Sequence, residues 1–154
     1  MTAPTTPTYE DRNTGTVYAS AFEMVNAYIT RFAESAQVAL EPLDATGYTQ
    51  VKRGSAYVGI NVLEENGVLM FLAPIMEIPF AGRERLYRKL LELSFLQTSD
   101  AAFAIDGKKD VVYVRALRRI SGLDFEEFED LLQTVSAVAD EWDDELQREF
   151  GEGA

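Results

Sequence analysis

The fold is decided by residues 56–75, which read AYVGINVLEENGVLMFLAPI. Two runs rich in aliphatic, β-branched and aromatic residues, 56–63 and 68–75, flank the polar segment 64–67. That segment ends in the dipeptide Asn66-Gly67, which tolerates the positive φ angles of a tight turn. The stretch therefore predicts an antiparallel β-hairpin.

Two capping boxes mark helices on either side of this hairpin. Ser20 is followed three residues later by Glu23, and Asp124 by Glu127, so side chains can bond to the first free backbone donors of a helix. Apolar residues at steps of three and four follow both signals. We predict helices at 17–36, at 82–97 and from residue 124 onward, and further strands at 38–43, 48–53, 101–105 and 111–117.

This order of elements predicts an α+β domain with a mainly antiparallel sheet and three helices. Residues 1–15 are rich in threonine and proline and have no hydrophobic period, so we expect a flexible N-terminal tail. Residues 16–150 are expected to form a single domain that ends in a long acidic helix. With 154 residues, of which 47% are hydrophobic, the chain can bury one core.

The composition excludes several classes of enzyme. The chain contains no cysteine and no histidine, which removes thiolate and imidazole zinc sites, cysteine nucleophiles and serine-histidine-aspartate triads. We therefore expect no catalytic residue, no cofactor and no metal. No run approaches the roughly 18 apolar residues of a membrane span, and the first residues lack a signal-peptide pattern, so we expect a cytoplasmic protein without membrane contact.

Negative charge is concentrated near the C-terminal end. The net charge is −12, and residues 124–152 hold twelve carboxylates against the single base Arg148. Such a surface repels DNA and RNA phosphates, whereas it attracts a basic protein. The densest acids could instead hold Mg²⁺ or Ca²⁺, but we favour a solvated acidic helix face over a cation cage. These acids are Asp140, Glu141, Asp143, Asp144 and Glu145.

Four stretches carry a family resemblance, namely 47–61, 66–74, 86–94 and 103–114. In their order and apolar pattern they resemble the type III secretion chaperone-like superfamily, and especially its bacterial YbjN-like proteins. The resemblance implies a small cytoplasmic protein, usually a homodimer, that holds or regulates other proteins. It implies no chemical reaction.

Residues 68–76 are apolar at both alternating sets of positions, which makes both faces of this strand apolar. Either the three helices divide between the two faces of the sheet, or one face awaits a partner; we favour the first arrangement. The candidate partner-binding residues are Met70 and Leu72 on the strand and Asp140, Asp143, Asp144 and Glu145 on the acidic helix. Leu86 and Leu90 on the second helix are the candidate contacts of a homodimer.

These observations favour a non-enzymatic protein-binding module, chaperone-like or regulatory, which engages a client protein through an apolar surface and its acidic helix. The alternative is an acidic partner that occupies the basic surface of a nucleic-acid-binding protein and regulates it. A carboxylate-dependent metal enzyme is a distant third interpretation.

Overall fold

A computed structural model describes residues 9–152 of the chain. Within them, three α-helices and five β-strands follow one another in the predicted order. The elements are α1 (Ala21–Ala36), β1 (Tyr48–Arg53), β2 (Ala56–Leu63), β3 (Val68–Glu77), α2 (Arg83–Leu96), β4 (Ala102–Asp106), β5 (Val111–Arg119) and α3 (Phe125–Phe150). Neighbouring strands are all antiparallel, in the order β1-β2-β3-β5-β4. The predicted α+β class is confirmed.

The predicted hairpin forms between β2 and β3. One turn of 3-10 helix, Glu64–Asn66, makes the connection and ends at Gly67, whose φ of 63° suits a residue without a side chain. β3 continues beyond its predicted end as far as Glu77. It can do so because a register shift between Pro74 and Met76 accommodates the proline while pairing with β5 continues.

Residues 38–43 do not form the predicted strand. Their backbone bonds to side chains of the neighbouring elements instead. Leu43 N donates to Asn26 Oδ1 on α1, and Glu41 O accepts from Thr49 Oγ1 on β1, both at 2.9 Å. The segment is therefore an irregular connection held between α1 and β1.

The starts of α1 and α3 follow the two capping signals. Ser20 Oγ accepts from Glu23 N at 3.1 Å, and Asp124 Oδ1 accepts from Glu127 N at 2.8 Å. Each side chain satisfies a backbone donor that the first helical turn leaves free. Because Ser20 is the cap, α1 begins at Ala21 and not near residue 17 as predicted.

All three helices lie on one face of the sheet. Phe128 of α3 packs on Phe71 of β3 and on Tyr28 of α1, with ring centroids 5.5 and 5.6 Å apart. α2 lies beside α3, since Lys89 Nζ is 5.7 Å from the centroid of the Trp142 ring, and it also contacts β4. The favoured arrangement, in which the helices divide between both faces, is therefore wrong.

The core lies between the helices and the inner face of the sheet. It takes every second strand residue, such as Leu69, Phe71 and Ala73 on β3, which are all fully buried. Met70 and Leu72 alternate with them and remain partly exposed. Because successive strand side chains point to opposite faces, the outward set takes no part in holding the helices.

The structure differs from the predicted N-terminal tail over residues 9–15, which pack against the helices; residues 1–8 lie outside the described part. Asp11 is only 3% exposed. Its carboxylate accepts from Tyr28 Oη at 2.7 Å and from two backbone N–H groups of its own turn at 2.8 Å each. We call residues 9–18 the N-terminal strap, because these bonds fasten them to α1.

The carboxylate of Asp11 is stabilised in its ionised form. Burial raises its pKa, but the bonds from the Tyr28 hydroxyl and the two backbone N–H groups outweigh burial and hold the pKa below its ordinary value. The pKa of Tyr28 is raised, first by burial and then by its bond to Asp11. Arg12 pairs with Asp124 at the start of α3, at 2.7 Å. The strap therefore links α1 to α3.

Candidate functional site

The sheet face turned away from the helices, here called the open face, is apolar and partly exposed. Aromatic and aliphatic side chains from four strands contribute to it. They are Tyr48, Tyr57, Met70, Leu72, Pro74, Tyr113 and Leu117. Leu117, for example, is 50% exposed. No helix among residues 9–152 covers this face, so a band of apolar surface is accessible to a partner.

The candidate partner-binding residues Met70 and Leu72 lie at the centre of the open face. Both belong to β3, which has β2 on one side and β5 on the other. Leu72 stands opposite Gly59 of β2 and Arg115 of β5. Both side chains are partly exposed, so the structure places them where a partner can reach them.

A hollow of about 340 Å³ opens in the open face above Gly59. A Cβ atom at Gly59 would lie 3.0 Å from Tyr48 Cε2 and 3.4 Å from the Leu72 carbonyl oxygen, so any side chain there would crowd both neighbours. Tyr57 and Tyr113 also line the space. A glycine inside a strand often marks a place where another group approaches the backbone closely, and Gly59 was such a signal in the sequence. Our sequence reasoning missed it.

Basic side chains border the hollow, although the chain is acidic overall. Lys109 lines it, and Arg115 lies opposite Leu72 on the neighbouring strand. Lys52 Nζ lies 5.7 Å from the centroid of the Tyr57 ring. None of these three cations forms an ion pair with any residue of 9–152. Positive charge therefore lies beside the apolar side chains of the hollow.

The strand carboxylates of the open face are confined to one end of it. Glu77 of β3 and Asp106 of β4 both lie opposite Val111 of β5. Asp106 Oδ1 accepts from Lys108 N at 2.9 Å and is occupied in closing its own turn. The strand carboxylates of this face thus lie at the end of the sheet where Lys109 lines the hollow.

On α3, two of the four candidate acids are held against the sheet. Ser55, in the turn between β1 and β2, places its Oγ 2.7 Å from Asp140 Oδ1 and 2.8 Å from Asp143 Oδ2. Asp143 is 8% exposed, so the interpretation of a fully solvated acidic face is wrong at this residue. Asp144 and Glu145 are exposed. Glu145 pairs with Arg148 at 3.5 Å, and Asp140 is also exposed although Ser55 bonds to it.

The turn that holds these acids depends on Gly54. Its φ is 60°, and a Cβ atom there would lie 2.6 Å from Asp140 Oδ1. Hydrogen bonds from Ser55, first from its backbone N–H and then from its hydroxyl, lower the pKa of Asp140. Across residues 9–152, no three metal-ligating side chains converge on one point. Asp140 and Asp143 therefore fasten a turn of the sheet to α3.

The candidate dimer residues Leu86 and Leu90 are buried in the core. The opposite side of α2 carries large apolar side chains among the charged residues Glu84, Arg88 and Glu92, and lies beside a groove of about 630 Å³. Its residues, here called the α2 outer face, are Tyr87, Leu91, Phe95 and Leu96. Phe95 is 82% exposed. Leu91 and Phe95 are four residues apart, which is the same helical spacing as that of Leu86 and Leu90. From the sequence we used only the Leu86 and Leu90 pair.

Comparison with protein families matches residues 28–143 to the Tir chaperone protein (CesT) family. The chain belongs to this family. The matched span contains the complete five-stranded sheet, α2 and most of α1 and α3. CesT proteins are chaperones and not enzymes, so membership confirms the predicted non-enzymatic, protein-binding character of the chain.

Solved structures show the same fold at low sequence identity. A chain of the ExsC–ExsE complex is 21% identical, covers 84% of this chain and 96% of its own length, and has a TM-score of 0.63. A chain of the ExoU–SpcU complex, from the type III secretion system of Pseudomonas aeruginosa, is 13% identical over 76% of this chain and 93% of its own, with a TM-score of 0.57. YbjN from E. coli is 12% identical over 75% of this chain and 88% of its own, with a TM-score of 0.55.

These matches confirm the predicted type III secretion chaperone-like fold for this CesT-family chain. YbjN is one of several neighbours, and at its identity the likeness concerns the fold alone. Comparison with curated proteins found no match. Within residues 9–152, none of the helices combines the length and the apolarity that crossing a bilayer requires.

Proposed function

We propose that this protein is a cytoplasmic chaperone that holds a client protein on its open face. The observation that carries the proposal is an apolar sheet face, centred on Met70 and Leu72, which no helix covers in the described part of the chain. An apolar surface of this kind is typical of a protein-interaction site. Membership of the CesT family supports a client, and a fold neighbour is found in the HopA1–SchA chaperone–effector complex.

The acidic helix α3 would steer the client toward the protein. Asp144 and Glu145 are exposed, and Asp140 and Asp143 add to the same negative field from their places beside Ser55. Exposed charges contribute mainly to the rate of encounter, because water and salt screen them once the surfaces are in contact. We therefore assign affinity to the open face and association rate to α3.

The protein would act as a homodimer. Leu86 and Leu90 are buried within one protomer, so the proposed contact moves to the α2 outer face with Leu91 and Phe95. Large exposed apolar side chains grouped on one helix suit an isologous contact, in which the same patch meets its copy.

A second candidate function is regulation of a nucleic-acid-binding protein by occupation of its basic surface, as a YbjN-like protein of regulatory rather than chaperone character. The supporting observation is the exposed acids of α3, which face solvent with one base, Arg148, among them. A client recovered through this surface would be basic and would elute with salt, whereas a client held by the open face would not.

The open face is tested by capture of clients from a cytoplasmic extract of the native cell. The double variant Met70→Lys, Leu72→Lys is expected to recover at least about tenfold less client, because it places two charges in the contact area. Val17→Lys is the matched control, since Val17 is an exposed apolar residue on the strap. Unchanged recovery by the double variant, with its fold intact by circular dichroism, would contradict the proposal.

The acidic helix is tested by association kinetics with the recovered client. Asp144→Asn with Glu145→Gln is expected to lower the association rate several-fold at low salt and to flatten its salt dependence, while leaving thermal stability nearly unchanged. Glu34→Gln with Glu41→Gln is the control, because both residues are exposed acids outside α3. Equal rates for both double variants from low to high salt would show that α3 does not steer the client.

A further inference from the structure

We propose that the open face selects an acidic client segment, with one large apolar side chain in the hollow above Gly59 and a carboxylate bound by Arg115. This inference rests on the proposed client-binding function and adds the chemistry of the bound segment; the client surface that α3 attracts is a separate, basic part of the same client. It joins two observations, namely the hollow between the tyrosine rings and Leu72, and the nearby cations, which form no ion pair within residues 9–152.

The hollow suits an apolar side chain. Gly59 is buried beneath the Tyr48 ring, and the hollow beside it is lined by the rings of Tyr48, Tyr57 and Tyr113, the side chain of Leu72 and the amides of Gln50 and Asn61. Tyrosine rings provide broad apolar contact while their hydroxyls stay near water. A volume of about 340 Å³ that is open to solvent accommodates a leucine or phenylalanine together with its own backbone.

Arg115 is placed to bind an acid on the same segment. In register, Gly59, Leu72 and Arg115 stand on three neighbouring strands, so Arg115 lies roughly 10 Å from the hollow at the backbone. In an extended segment, side chains two residues apart point the same way and are roughly 7 Å apart. The arginine side chain is long enough to cover the difference between these two distances. Its guanidinium can hold a carboxylate through two hydrogen bonds. Lys109 adds a second positive charge beside the hollow.

Single-stranded nucleic acid is the competing occupant, because tyrosines on a sheet can stack bases. Its phosphate chain would extend over the whole face, including the end that carries Glu77 and Asp106. A peptide needs only one carboxylate near Arg115, so the distribution of charge favours an acidic peptide.

The test uses two short fluorescent peptides, one alternating leucine with aspartate and glycine, and one with lysine in place of aspartate. Fluorescence polarisation is expected to show that the native protein prefers the acidic peptide by at least about tenfold. Gly59→Val is expected to weaken this binding by about tenfold, since its side chain displaces the Tyr48 ring that borders the hollow. Arg115→Glu is expected to reverse the preference toward the lysine peptide, which a merely structural role of Arg115 would not do.

Arg31→Glu is the matched control, because it makes the same change of charge at an exposed residue of α1, on the helix side of the sheet. A single-stranded oligothymidine of similar length tests the competing occupant. Failure of the acidic peptide to bind, equal binding of both peptides, unchanged binding by Arg115→Glu, or tighter binding of the oligonucleotide overturns the inference. If that happens while Met70→Lys, Leu72→Lys still loses its clients, the proposed function stands and only the chemistry of the segment is wrong.

Discussion

The Phe95→Asp variant is expected to be a monomer at micromolar concentrations at which the native protein is a dimer. Phe95 is 82% exposed in one protomer, and Leu91 extends the same patch. In a two-fold contact the substitution enters twice, and each new carboxylate would have to leave water for an apolar interface. The dissociation constant is therefore expected to rise at least about a hundredfold, which light scattering across a dilution series measures.

Two further variants make this result specific. Phe80→Asp changes another exposed phenylalanine, in the loop before α2, and is expected to leave the dimer intact. Leu90→Asp, by contrast, is expected to unfold the protomer, because Leu90 is buried in the core. A native protein that is a monomer at every accessible concentration, or a Phe95→Asp variant that remains dimeric, would contradict a dimer through the α2 outer face.

The Asp11→Ala variant is expected to lose about 2–4 kcal/mol of the free energy of unfolding. The carboxylate of Asp11 accepts from Tyr28 Oη and from two backbone N–H groups, and its removal leaves these buried or half-buried donors without their partner. Urea unfolding measures the loss. Asp44→Ala is the control, since Asp44 also accepts bonds from its own turn but is exposed, and a much smaller loss is expected because water replaces its bonds.

The free energy of unfolding that Asp11→Ala loses should depend on pH. The native pKa of Asp11 is lower than its unfolded value, so the carboxylate stabilises the fold above the unfolded pKa of about 3.9. This contribution disappears as the pH falls through the native pKa. The difference between the native protein and Asp11→Ala is therefore expected to be constant near neutral pH and to shrink below about pH 4. A difference that stays constant into strong acid would show that the ionised carboxylate is not what fastens the strap.

Local patterns were enough to predict most of the elements. Asn66-Gly67 identified the hairpin, and the capping boxes at Ser20 and Asp124 identified two helices, although α1 was predicted to begin near residue 17 and begins at Ala21. These signals act between residues that are close in the chain, so they can be recognised before the tertiary structure is known. The strand predicted at 38–43 failed because its backbone groups bond to side chains of α1 and β1, which no local pattern reveals.

The surfaces were harder to predict because they depend on tertiary packing. α2 carries one apolar set around Leu86 and Leu90 and another around Leu91 and Phe95, and helical spacing alone does not say which set is buried. The apolar character of both faces of β3 was recognised, but not which face the helices leave uncovered. Asp143 looked like a solvated acid because the Ser55 turn that meets it is 88 residues away in the chain.

Because all three helices lie on one face of the sheet, inward and outward residues of the same strand are under different evolutionary constraints. On β3, Leu69, Phe71 and Ala73 hold the helices, while Met70 and Leu72 face outward. Substitution of an outward residue opens no cavity in the core, so its cost to stability is small. Mutations that change partner preference can therefore accumulate at alternate positions without eroding the fold. A scaffold of this kind can diverge in what it binds while the inward residues stay under constant constraint.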